Sequence, residues 1–232
     1  NGSSTATFYY KDSATGAPTV TATRTSGMEL GFDTHPVMVT GNNALGFDGT
    51  DDYVNVGAGP DGVKCVEFRV NPNTTTEYFL DLDGGAHSIW VNAGTVTATG
   101  FVSPVIYVNG VQTSTIVSNQ WQHVTVITDT GINASALTMG ESTGNYFQGK
   151  MDEVRLWSAA PSLSTIRGWM YKEVNSLHPD WDEMTAYYKF NAGSGTTAHD
   201  SRGTYDGTLT NEPSWMTSGA FAGPRNALDF DG

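Results

Sequence analysis

An all-β sandwich is the fold this sequence predicts, and three observations carry the prediction. Short alternating runs recur along most of the chain: ALGFDG, DYVNV, CVEFRV, EYFLDL, HSIWVN, VIYVNG, WQHVTVIT, ALTMG and KMDEVRLW. Gly, Asn, Asp and Pro bound them, at a spacing of roughly 8–12 residues, which is how strands of sandwiches and barrels are spaced. The composition agrees, since 27 of 232 residues are glycine, only 15% are charged, and Thr, Ser, Val and Asn crowd into short runs. That is the profile of many strands and tight turns with little helix. Finally, one segment alone, SLSTIRGWMYKEVNSLHP, leaves the two-residue period for helical spacing.

Taken in order, residues 1–42 alternate Thr with apolar residues (TATFYY, PTVTATRT) and read as two or three strands, or as an extended lead-in from a preceding module. From Asn43 the strand pattern sharpens. Alternation in WQHVTVIT sends Trp121, His123, Thr125 and Ile127 to one face and Gln122, Val124, Val126 and Thr128 to the other. In the helical segment Ile166, Trp169, Met170, Val174 and Leu177 form one stripe, with Ser162 or Ser164 as N-cap and Pro179 beyond the end. Gly168 weakens it from within. Strand character returns in MTAYYKFN, GTTAHD, DGTLTN and PSWMTSG, and a joint, GAFAGPR, precedes the last seven residues.

The composition also excludes. The formal charge is −13 and the 11 basic residues are scattered singly, so there is no footprint for a phosphate backbone and no nucleic-acid partner is expected. An acidic chain suits divalent cations or neutral partners such as glycans. Cys65 is the single cysteine, which rules out a disulfide within the chain; in KCVEFRV it reads as a buried small hydrophobe. No run approaches the roughly 18 apolar residues that span a membrane, so no insertion by a helix is expected.

The chain ends on NALDFDG from Asn226, which repeats NALGFDG from Asn43 at six of seven positions. Self-similarity at a long period is the mark of repeated modules. The series ALGFDGTDDYV, YVNG, WQHV, YFQGKMDEVRLW, a short helix, AYYKFNAGSGTTAHD and DGTLTN resembles the laminin G-like jelly-roll modules repeated in large secreted and cell-surface proteins of bacteria. The resemblance covers about residues 43–218. It implies a concanavalin-like sandwich of two antiparallel sheets, with ALGFDG as first strand, MDEVRLW beside it and one short helix after that late strand. It further implies a usually non-catalytic module, often holding one calcium ion. The expected organisation is a lead-in over 1–42, the laminin G-like domain over 43–219, and over 220–232 a linker with the first strand of the next repeat.

Several constellations bear on chemistry. FDGTDDYV supplies Asp48, Asp51 and Asp52 around a glycine, and MDEVRLW adds Asp152; calcium takes six to eight oxygens from such carboxylates and loop carbonyls. In related glycan-active jelly rolls the late strand carries a calcium-binding Asp, so the resemblance points to Asp152, with Asp48 and Asp51 as its partners. The alternative reading is that these aspartates cap turns. Ser142 in GESTG matches the G-x-S-x-G pattern, but a strand rather than a helix follows it, so no nucleophile elbow is expected. No carboxylate pair shows glycosidase spacing; DWDEM, the nearest cluster, falls in the linker after the helix. His87 and Trp90 after DLDGG, and Asn145, Tyr146 and Phe147, are the candidate ligand contacts.

These readings predict a non-catalytic, extracellular or surface-displayed bacterial module for adhesion, binding glycans or other surface ligands, stiffened by calcium and adjoining copies of itself. A structural spacer in a long adhesin and a carbohydrate-binding accessory domain of a polysaccharide-degrading enzyme are the alternatives.

Overall fold

A computed structural model of the chain describes residues 43–220 and, apart from them, one antiparallel two-strand pair, β1 (Thr19–Val20) with β2 (His35–Pro36). The chain divides into two units, Asn1–Gly41 and Asn42–Gly232. Expectations for the remainder of the lead-in and for the terminal NALDFDG lie outside the described residues.

The larger unit runs β3 (Asn43–Asp48), β4 (Tyr53–Gly57), β5 (Val63–Pro72), β6 (Glu77–Asp81), β7 (Ser88–Asn92), β8 (Thr95–Thr99), β9 (Val105–Val108) and β10 (Val111–Gln112). It continues with β11 (Gln122–Ile132), β12 (Leu137–Met139), β13 (Glu141–Ser142), β14 (Asn145–Tyr146), β15 (Gln148–Trp157) and α1 (Leu163–Trp169). A 3₁₀ turn (Trp181–Glu183) leads to β16 (Met184–Tyr188), β17 (Thr197–Ala198), β18 (Gly207–Thr210) and β19 (Ser214–Thr217). Two antiparallel sheets face each other as an all-β jelly-roll sandwich. One has eight strands in the order β10-β9-β11-β5-β15-β3-β19, with β16 beside β15; the other has seven, β17-β18-β4-β12-β6-β7-β8. β15, the strand that carries MDEVRLW, does lie beside ALGFDG of β3, but the paired stretch is Gln148–Met151, so of MDEVRLW only Met151 takes part.

The core between the sheets is built from the inward residues of each alternation: Phe47, Val54, Val66, Phe68, Phe79, Ile89, Val124, Val126, Phe147 and Leu156 are all at most 5% exposed. Phe79 meets Phe68 at 5.5 Å and Phe147 at 5.4 Å between ring centroids, and Phe147 meets Phe47 at 5.5 Å. Each such side chain contributes about 1.5–3 kcal/mol by leaving water.

β15 carries the main irregularity. Over residues 148–151 its free edge pairs with β3, and over 154–157 with β16, while its register against β5 shifts between Asp152 and Arg155. Glu153 sits in this bulge at φ +55°, a left-handed conformation uncommon outside glycine. Met151 and Val154 both face the core, so the extra residue sends Asp152 and Glu153 together to the sheet's outer face.

The middle of that outer face, on β11, β5 and β15, is covered by residues 158–183, whose backbone carbonyls take hydrogen bonds from Arg69 and Arg155. Beneath this segment lie Glu67, Arg69, His123, Asp152, Glu153 and Arg155, all at most 2% exposed. Arg155 pairs with Glu153 at 2.7 Å and lies 3.9 Å from Glu67; the Tyr187 hydroxyl also donates to Glu153. The His123 Nε2 is 3.0 Å from Glu67, off the line of a good hydrogen bond. Burial opposes charge on both partners. His123 yields and falls below the usual imidazole range, whereas Glu67 stays below the usual carboxyl range because the His123 contact and Arg155 outweigh burial. Burial and the neighbouring Glu153 push Asp152 well up, while its oxygens accept from the Ser218 hydroxyl at 2.6 Å and the Glu153 N–H at 2.8 Å.

The same arginines end the helix. Ser162 caps it, its hydroxyl accepting from the Thr165 N–H at 3.1 Å, as the sequence allows. The helix nonetheless stops at Trp169, well short of the expected stripe through Val174 and Leu177. Arg69 donates to the Met170 carbonyl and Arg155 to that of Lys172, both at 2.7 Å, and the Val174 N–H goes to the Tyr187 hydroxyl at 3.1 Å. Backbone groups needed for further turns are taken by buried side chains of the sheet. His178 then wedges between Trp157 and Trp169, at 4.9 and 5.0 Å between ring centroids.

Arg155→Ala leaves Glu67 and Glu153 buried without their shared cation, and breaking a buried pair this way costs about 3–5 kcal/mol. Urea denaturation checks this. A loss below about 1 kcal/mol, the level of ordinary surface changes, would show that the cluster is not what holds residues 158–183 in place.

Candidate functional site

Among the described residues, no segment lies over the outer face of the seven-stranded sheet as 158–183 lie over the middle of the other. The register places one polar residue from every strand in a single row across this open face: Thr99, Ser88, Asp81, Thr138, Asn55, Thr208 and Thr197. Thr99, Asn55 and Thr208 are exposed, Thr138 and Thr197 half-buried, and Ser88 and Asp81 buried.

One step along the strands a second row carries aromatic groups. Thr97 pairs with Trp90 and Trp90 with Tyr78, and Tyr53 lies further across the same face, opposite Thr210. Trp90 and Tyr78 stack at 5.7 Å with 11° between their planes, and the Trp90 indole N–H donates to the Thr99 hydroxyl at 2.9 Å. The β13–β14 hairpin folds beside β6 and brings Tyr146 to 6.4 Å from Tyr53. All four rings are half-buried, each with part of its surface left to solvent.

Asp81 organises the loop at the end of this face. Its Oδ1 accepts the N–H groups of Asp83, Gly84 and Gly85 at 3.1, 2.9 and 2.9 Å, and its Oδ2 accepts the Ser142 hydroxyl at 2.9 Å. One carboxylate therefore ties the DLDGG loop to the GESTG hairpin. Ser142 is 2% exposed within that hairpin, with no helix following, so it has no elbow from which to act.

The sequence-derived ligand candidates separate. Trp90, Asn145 and Tyr146 belong to the open face and its hairpin. His87 lies in the loop at the end of the sandwich, its Nδ1 2.5 Å from Asp83. Phe147 is a correction: it is fully buried between Phe47 and Phe79, because its neighbour Tyr146 takes the outward position in the alternation. Sequence reading missed Tyr53, Tyr78 and the polar row. Their strands lie far apart in the chain, and only the pairing reveals that they align.

The acidic candidates also separate. Asp48, Asp51 and Asp52 come together, with carboxylate oxygens within 4.8 Å of one another. Oxygens sharing one calcium at 2.3–2.6 Å stand up to about 5.2 Å apart, so this set fits such an ion. Burial, and then the charges of Asp48, Asp51 and Glu212, raise the Asp52 carboxyl, a repulsion that a cation would relieve. Asp152 lies elsewhere: it pairs with Arg69 of β5, whereas Asp48 pairs with Gln148, four residues along β15. Its two oxygens are already engaged beneath the cover.

No protein-family model and no curated protein matches this chain. Among solved structures it is similar to a “putative carbohydrate binding protein” from Bacteroides ovatus, at 17% identity and a TM-score of 0.52. The match covers 84% of this chain and 65% of that one. At this identity the likeness shows the sandwich fold alone. Among the described residues no helix is long and apolar enough to cross a membrane.

Asp81→Ala removes the acceptor for three loop N–H groups and a buried hydroxyl. Leaving such donors unsatisfied costs about 1–3 kcal/mol, and the DLDGG loop should exchange its amide hydrogens much faster than in the native chain. Unchanged exchange over residues 83–87 would show that the loop holds itself.

Proposed function

We propose that this is a non-catalytic glycan-binding module of the laminin G-like kind, displayed outside a bacterial cell as one of several repeats in an adhesive or secreted protein, which bears its ligand on the open seven-stranded face. The observation that carries the reading is the juxtaposition of the two rows. Sugar rings present apolar C–H faces, which aromatic rings meet, and hydroxyls, which need both donors and acceptors. Trp90, Tyr78, Tyr53 and Tyr146 supply the first, and Thr138, Asn55, Thr208 and Thr97 the second. The carbohydrate-binding description of the structural neighbour supports the same class. Against catalysis stands the use of Asp81, the sole carboxylate of the polar row, as a loop anchor, since glycoside hydrolysis needs two carboxyl groups flanking a bond.

A glycan array tests this. Neutral polysaccharides should be retained, and Trp90→Ala should lower affinity by about tenfold or more, equivalent to about 1.4 kcal/mol. Uniform silence would instead favour the spacer role.

The second element of the proposal is one calcium ion held by Asp48, Asp51 and Asp52, closing the β3–β4 turn and stiffening the module. An ion that binds only the folded chain stabilises it by about 2.7 kcal/mol at a hundredfold excess over Kd. Calcium should raise the melting temperature, Asp51→Ala should remove the rise, and Asp152→Ala should not. An identical melt in excess chelator would contradict the site.

A further inference from the structure

At the end of β11 the loops after β6, β8 and β11 enclose a cleft of about 400 Å³. It stands at the Val63 end of β5, where Ile132 pairs, whereas Asp48 lies near the opposite, Pro72 end. The walls approach closely because position 100 is glycine: at φ +76° a Cβ there would fall 2.1 Å from the Ala86 carbonyl oxygen. The cleft is built rather than incidental. The Thr128 hydroxyl takes the Val102 N–H at 3.0 Å and donates to the Val102 carbonyl at 3.1 Å, which pins the β8–β9 loop against β11.

Its chemistry is specific. The Asp83 carboxylate holds the His87 backbone N–H at 2.8 Å and its ring Nδ1 at 2.5 Å. The imidazole is thereby fixed, and its Nε2 is the ring atom left for a ligand's hydroxyl. Asn133 uses its carbonyl oxygen on the Gly62 N–H at 3.2 Å, so its NH₂ remains a donor. Thr130 and Ser135 add hydroxyls that serve either way, and Val102, 48% exposed, gives an apolar lip. Among the described residues no lysine or arginine lines the cleft, and Asp83 would repel an anion. A single carboxylate already engaged with His87 is a poor cation site. What fits is an uncharged ligand rich in hydroxyls. The volume lies at the small end of ligand sites, about 300–1,000 Å³, room for one or two sugar rings.

From this geometry we infer a second saccharide site, separate from the open face, that takes the end of a neutral glycan chain between Asp83–His87 and Asn133. The open face runs across strands and suits an internal stretch of chain. The cleft, set between loops, suits a terminus. The inference borrows its ligand class from the glycan reading and its place from the cleft alone.

The test is amide chemical-shift mapping of the isotope-labelled chain, titrated separately with the methyl pyranosides of glucose, galactose and mannose and with inorganic phosphate. The expected result is saturable shifts at residues 84–87, 100–102 and 130–133 with at least one glycoside and none with phosphate. His87→Ala should weaken that binding tenfold or more. Cleft signals that stay silent with all three glycosides, or that respond to phosphate instead, overturn the inference. Shifts confined to residues 53, 78, 90 and 146 also overturn it while upholding the open face; shifts confined to the cleft uphold it and count against the face.

Discussion

The bulge in β15 is the constraint on which the rest of this sandwich depends. A regular strand would alternate Asp152 outward and Glu153 into the core, where a carboxylate between Phe and Leu side chains would be prohibitive. Accepting a left-handed residue at Glu153 sends both acids to the same outer face, where Arg69 and Arg155 stand. Charges at that density are tolerable in only two settings, under water or under a cover that satisfies them. Residues 158–183 are that cover, and their backbone carbonyls accept from the arginines.

Two consequences follow. The helix is short because its continuation is traded for those bonds, so tertiary demand overrides a helical apolar stripe. And the eight-stranded sheet keeps the middle of its outer face, on β11, β5 and β15, closed to a ligand. Among the described residues nothing comparable folds over the opposite sheet, and the proposed recognition is placed there and in the loops at the sandwich ends. The covered face is polar yet closed, and the open face carries half-buried aromatic rings, on which the proposal of a ligand there rests.

Much of the fold was legible because the strand period is local. The alternation in WQHVTVIT sorts His123 and Thr125 from Val124 and Val126, as found, and residue type narrows the N-cap to Ser162 or Ser164, of which the structure uses Ser162. What local pattern could not convey is which side of a sheet meets water. His123 and Thr125 share a face by alternation, and that face is fully buried because a segment some forty residues away lies over it. The site was legible in fragments. Trp90 and Tyr146 were identified as single residues, but the rows they join depend on pairings between strands distant in sequence. Phe147 was misplaced by one step of alternation. Asp48 and Asp51 meet because they share a turn, whereas Asp152 is drawn away by arginines whose positions no spacing rule reveals.

The central claim, one face sealed by buried charge and the other open for sugar, is tested most directly by hydroxyl-radical footprinting of the aromatic side chains, alone and with a pool of neutral oligosaccharides. The account predicts oxidation of Tyr53, Tyr78, Trp90 and Tyr146 in the free chain, suppressed by the sugars, with Trp157 and Tyr187 unreactive throughout. Ready oxidation of Trp157 and Tyr187, or sugar protection falling on Trp169 and Tyr171 of the cover instead, would contradict it.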